Sequence, residues 1–90
     1  MRAIRALVQG RVQGVFFRAY TRDKANELNL AGWVRNNPDG TVECQVQGIE
    51  ISIDEFIQFL HQGSPTSQVD DVTIIEIPVN PNLHHFEISY

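Results

Sequence analysis

Arg18 closes a nine-residue stretch, Gly10-Arg11-Val12-Gln13-Gly14-Val15-Phe16-Phe17-Arg18, whose residue types suit an anion. Glycines let the backbone curl and bring successive N–H groups toward one point. Phe17, Thr21, Ala25 and Leu28 follow at helical spacing and predict a helix over residues 17–29, with Arg22, Asp23, Lys24 and Glu27 on its wet side. No Ser, Thr, Asp or Asn stands where that helix should start, so its first amides lack a side-chain cap. A bound anion would satisfy them, and so would water; spacing alone leaves both readings open. Arg18 strengthens the first. A cation in the first helical turn opposes the dipole at a cost of about 0.3–1 kcal/mol, and a phosphate there reverses the sign. A guanidinium also grips two phosphate oxygens at once. The stretch is neither a Gly-Lys-Ser/Thr phosphate loop nor a G-x-G-x-x-G dinucleotide turn.

Other chemistry-bearing residues read as structural. Cys44, the only cysteine, sits between Val42 and Val46 in an alternating stretch, as a small core residue does. His84 and His85 are adjacent, so on a strand they face opposite ways, and no third ligand stands at a metal-binding spacing. Asp70-Asp71 and Asp54-Glu55 suit a solvated strand start and a helix first turn. The Ser and Thr residues have no partner pattern that would make a nucleophile.

The 90 residues carry a net charge of −4, which disfavours a general nucleic-acid binder. All seven Lys and Arg lie in residues 1–35 with only two acids, a local +5, and the other nine acids follow. A small anion meeting the first third fits that split. No apolar run approaches the roughly 20 residues that a bilayer requires. Residues 1–8 do not resemble a signal peptide, and a lone cysteine makes no intrachain disulfide. The expectation is one cytoplasmic domain over 1–90, with no membrane partner.

The elements that must position the loop follow from periodicity. Residues 2–9 predict a strand with Ile4, Ala6 and Val8 on one face. Residues 31–36 predict a second, with Trp33 as its large core candidate. Asn37-Pro38-Asp39-Gly40 is a turn, and residues 41–48 alternate Val42, Cys44 and Val46 inward against Thr41, Glu43, Gln45 and Gln47. Ser52 and Glu55 read as a capping box opening a second helix, with Ile53, Phe56, Ile57 and Leu60 as its apolar stripe and Gly63 and Pro65 as its stop. Residues 69–77 and 86–90 predict the last strands. The order β-α-β-β-α-β with an extra terminal strand predicts an α+β, ferredoxin-like (split βαβ) two-layer sandwich. Its sheet is expected to be antiparallel and four- to five-stranded, with two helices on one face.

Two of these stretches, Gly10 to Arg18 and Gly32-Trp33-Val34-Arg35-Asn36-Asn37-Pro38-Asp39-Gly40-Thr41-Val42 followed by Gly48, resemble the signatures of the acylphosphatase family. Phe56, Leu60, Gly63, Pro65, Val69, Val72 and Phe86-Glu87-Ile88 also fit, so the resemblance spans essentially the whole chain. Ser64 and the segment Asn80–His85 are its least familiar parts, and they are expected to bear on surface detail. The resemblance implies hydrolysis of acyl phosphates to a carboxylate and inorganic phosphate, without a metal, another cofactor or a covalent intermediate. It implies that Arg18 holds the phosphate together with the backbone amides of Arg11, Val12, Gln13, Gly14, Val15, Phe16 and Phe17. It implies that Asn36 orients the attacking water and that a substrate phosphate oxygen takes the proton. Inorganic phosphate is then both product and expected inhibitor, and a monomer is the expected state.

Two other function classes are open to a fold of this kind. An RNA-binding ferredoxin-like domain needs stacking aromatics where the third strand shows Glu43 and Gln45. A carrier-type relative, like the acylphosphatase-like domain of hydrogenase maturation proteins, would be expected within a longer chain.

Overall fold

The computed structural model describes residues 1–90 and runs β1 (Arg2–Arg11), α1 (Phe17–Glu27), β2 (Ala31–Asn36), β3 (Val42–Gly48), α2 (Glu50–Gln62), β4 (Gln68–Ile77) and β5 (Phe86–Ile88). The strands form one sheet in the order β4-β1-β3-β2-β5. Strand pairs β1–β3, β1–β4 and β2–β3 are antiparallel, giving the expected split βαβ arrangement. The sheet is mixed, however, because β5 pairs parallel to β2, with Val34 opposite Ile88. Residues 78–85 carry the chain from one sheet edge to the other, and β5 arrives running in β2's direction.

Alternation decides which side is covered. Ile4, Ala6 and Val8 of β1, Val34 of β2, and Val42, Cys44 and Val46 of β3 are buried on one sheet face. Phe17 and Ala25 of α1 and Ile53, Phe56 and Leu60 of α2 complete that core. The rings of Phe17, Phe59, Phe56 and Phe86 meet in sequence at 6.2–6.4 Å between centroids, a tilted aromatic chain joining both helices to β5.

Two expectations are corrected. Trp33 is not in the core: it points to the open sheet face, where Arg35 lies 5.0 Å over its ring. The small residues Gly32 and Val34 take the covered face of β2 instead. Ser52 does not cap α2 either. The helix starts three residues earlier than that cap implies, at Glu50, and Ile49 occupies the cap position without a side-chain bond, leaving Ser52 buried inside the first turn. Residues 41–48 depart at two points: Thr41 is buried and precedes the strand, and Gln47 is buried, exchanging two 2.8 Å hydrogen bonds with the backbone of Asn80.

Candidate functional site

The loop between β1 and α1 has the curl that its glycines predict. Gly14 takes φ 74°, and the hypothetical Cβ of an alanine there would meet nothing, so the requirement is conformational and not steric. Phe16 also lies in the left-handed region, at φ 62°, immediately before the helix. A bulky residue there costs about 1–2 kcal/mol and points to a backbone held by its surroundings. Helix α1 begins without a side-chain cap and without an acid in its first turn. The backbone N–H groups of residues 12–19 find no acceptor elsewhere in the protein.

A cleft of about 320 Å³ opens over this loop, lined by Val12, Gly14, Phe16, Phe17 and Arg18 from the predicted set and by Ala19. Its far wall is Ile88 and Tyr90, with the Arg18 guanidinium 5.0 Å from the centre of the Tyr90 ring. Sequence reading missed both wall residues. The period-two spacing of Phe86, Ile88 and Tyr90 marked a shared face, but only the parallel pairing of β5 with β2 carries that face to α1.

Arg18 is distinguished by what it does not meet. Arg2, Arg5, Arg22, Lys24 and Arg35 each lie within 4.0 Å of a carboxylate. Arg11 and Arg18 are the two cations that do not. Arg11 ends β1 opposite Gln68 and is exposed outside the cleft wall, whereas Arg18 is in it.

Asn36 reaches the same end and the same face of the sheet by register. Val8 pairs with Val42, and Val42 with Asn36, so the three stand in one row across β1, β3 and β2. Val8 and Val42 point to the covered face, where the loop leaves β1 three residues later. The Asn36 Oδ1 is buried and accepts no hydrogen bond within the protein, an unsatisfied acceptor worth roughly 1–3 kcal/mol. Asn36 itself is not in the cleft wall.

Gln13 and Val15 are likewise outside that wall; they anchor the loop. The Gln13 Nε2 donates to the carbonyls of Asn37 (2.8 Å) and Thr41 (2.9 Å), tying the loop to the turn that follows Asn36. That turn is closed by Asp39, which accepts from the Thr41 hydroxyl (2.6 Å) and backbone N–H (3.0 Å); these bonds hold its carboxyl below the usual range. On the open sheet face, Glu43 accepts from Asn37 at 3.2 Å and pairs with Arg35 and Arg5. The Val15 carbonyl is held by Ser64 at 2.7 Å.

No three His, Cys, Asp or Glu side chains come together in a set able to hold a metal. Burial pushes the Cys44 thiol up to about 12, so it is not a thiolate nucleophile near neutral pH. No helix is long and apolar enough to cross a membrane.

The acylphosphatase family model matches residues 4–88, from Ile4 at the start of β1's buried stripe through the whole of β5. The chain belongs to the acylphosphatase family. A curated acylphosphatase of Rubrobacter xylanophilus is 44% identical over 85 residues, 94% of this chain and 77% of that protein. One of Bacillus licheniformis is 44% identical over 86 residues, 96% of each. The crystal structure of acylphosphatase from Bacillus subtilis superposes with a TM-score of 0.96 at 40% identity, covering all of both chains. Full-length HypF in a phosphate- and nucleotide-bound form also matches, with a TM-score of 0.90 and 31% identity over 99% of this chain but 12% of that one. Like its relatives in the family, this chain is an acylphosphatase-type enzyme that hydrolyses acyl phosphates.

Proposed function

We propose that the loop amides and Arg18 hold the phosphoryl group of an acyl phosphate while Asn36 orients the attacking water, with no metal taking part. The observation that carries this reading is the state of Arg18. It is a cation without a carboxylate partner, in the first turn of an uncapped helix, beside unpartnered amides. Each of these features is unfavourable alone, and a phosphate dianion relieves all of them together.

The chemistry asks little more. An acyl phosphate already carries a good leaving group, so holding the phosphoryl oxygens, neutralising their charge and placing water in line supply most of the catalysis. The Asn36 Oδ1, an acceptor without a partner in the protein, takes a hydrogen bond from the water and so turns an oxygen lone pair toward phosphorus. A bond forms between the water oxygen and phosphorus, the bond from phosphorus to the carboxylate oxygen breaks, and the carboxylate leaves with the electron pair. The water's proton passes to a phosphate oxygen of the substrate. The three histidines do not compete for that role: His61 is exposed in the last turn of α2, His84 lines a different cavity, and His85 stands 3.6 Å from Glu87 on the surface. The reading extends to a single-domain monomer in the cytoplasm, inhibited by its product phosphate, with a lone buried Cys44 supporting the compartment.

Benzoyl phosphate hydrolysis in excess chelator tests the scheme. Metal-independent turnover, inhibited by inorganic phosphate, is the expected result. A folded protein without turnover, or turnover abolished by the chelator, would overturn it.

A further inference from the structure

We propose that Ser64 is a positioning residue for phosphate: it turns the peptide between Val15 and Phe16 so that the Phe16 N–H faces the anion. The inference rests on the functional reading above and names a part of that site that the cleft wall does not contain.

The geometry is simple. All peptide bonds in the chain are trans, so the carbonyl of Val15 and the N–H of Phe16 point in opposite directions from one rigid plane. The Ser64 hydroxyl donates to that carbonyl at 2.7 Å, and the Thr66 hydroxyl reaches it at 3.4 Å. Holding the carbonyl toward the 63–67 turn therefore directs the N–H away from it. None of residues 63–67 lines the cleft, whereas Phe16 does, and the Phe16 N–H has no protein acceptor. Phe16 at φ 62° sits in a conformation that its own bulky side chain disfavours. A hydroxyl on the preceding carbonyl is the kind of tether that keeps it there.

Ser64 is built for this. It is only 3% exposed, although it stands in a turn between two regular elements. Gly63, at φ 74°, ends α2 by donating its N–H to the Phe59 carbonyl at 2.7 Å. Ser67 closes the turn by donating its N–H and its hydroxyl to the Ser64 carbonyl, at 3.0 and 2.7 Å. The Ser64 backbone is thus fixed from both sides, and its side chain is left with one partner, the loop. An expectation of mere surface detail is corrected by burial alone.

The test compares Ser64→Ala and Ser64→Ala/Thr66→Val with Ser67→Ala, which loosens the same turn without touching the Val15 carbonyl. Titration with inorganic phosphate and steady-state kinetics with benzoyl phosphate are read together. The double variant is expected to raise the phosphate Kd and the KM by roughly five- to tenfold, with kcat changed less than about twofold. Ser67→Ala is expected to lower Tm but leave both constants near wild type. In the wild type, the Phe16 amide resonance is expected to shift on phosphate addition, and in the double variant to shift less. An unchanged phosphate Kd in the double variant, or an equal rise in Ser67→Ala, overturns the role of Ser64. Wild-type protein with no benzoyl phosphate turnover overturns the functional reading and this inference with it; wild-type turnover with unaffected variants overturns this inference alone.

Discussion

The two helices begin alike and differ in everything around that beginning. Neither α1 nor α2 has a side-chain cap, so a bare helix start is not what marks a site in this fold. Helix α2 follows an extended Ile49 directly after β3, carries Glu50 in its first turn and leaves Ile49 exposed to water. Its acid complements the dipole, and solvent meets its free amides. Helix α1 follows a residue in the left-handed region, has no acid and places Arg18 where the dipole is already positive. The residues before it are tied at two points, Gln13 to the Asn37–Thr41 turn and Val15 to Ser64. The second start is self-sufficient. The first is strained and electrostatically incomplete, and it is held in that state by parts of the chain far away in sequence.

Substitutions can break this contrast. Arg18→Ala should remove it most completely: phosphate binding is lost and kcat/KM for benzoyl phosphate falls by roughly 10³-fold or more, measured by titration and initial rates. A variant that keeps wild-type turnover would show that α1's start is no more than an ordinary one. Asn36→Ala should separate the jobs within the site. Turnover is expected to drop about 10²–10³-fold while the phosphate Kd stays within a few-fold of wild type, because the proposed grip on phosphate is on the loop side.

Gly14→Ala sharpens the role of the loop's curl. Space is available there, but φ 74° is not favoured by a residue with a Cβ. Strain of about 1–2 kcal/mol should lower Tm by several degrees and weaken phosphate in parallel. Glu50→Gln is the control on the other helix, with a Tm loss of about 2 °C at most and an unchanged phosphate Kd. If Glu50→Gln altered phosphate binding as Gly14→Ala does, the two helix starts would not be independent.

The site was legible to the extent that it is local. The glycine punctuation, the missing cap and Arg18 all lie within nine consecutive residues, and backbone preference acts at that range. Asn36 came from a resemblance and from its place at a strand end, and the Val8–Val42–Asn36 row shows why strand order and register matter for it. Trp33 was misplaced because a large aromatic flanked by Gly32 and Val34 fits either face of a strand. Its face was chosen by the pair that packs under the helices. The Ser52 capping box failed because a helix can begin earlier, with an acid in its first turn, when β3 delivers the chain straight into it.

By itself, then, the sequence determined the order of elements, the alternation that splits each strand into a covered and an open face, and the glycine-bent loop that leads into an uncapped helix with Arg18 in its first turn. These are short-range matters of torsion preference, periodicity and charge. Tertiary structure alone decided that β5 runs parallel to β2 and brings Tyr90 against Arg18. It alone set Gln13 on the far turn, buried Ser64 beneath Val15 and left Arg18 as the one cation in the cleft wall, without a carboxylate partner. Those contacts join residues 24 to 72 positions apart, and no local pattern encodes which side chains will meet across such distances until the sheet order brings them together.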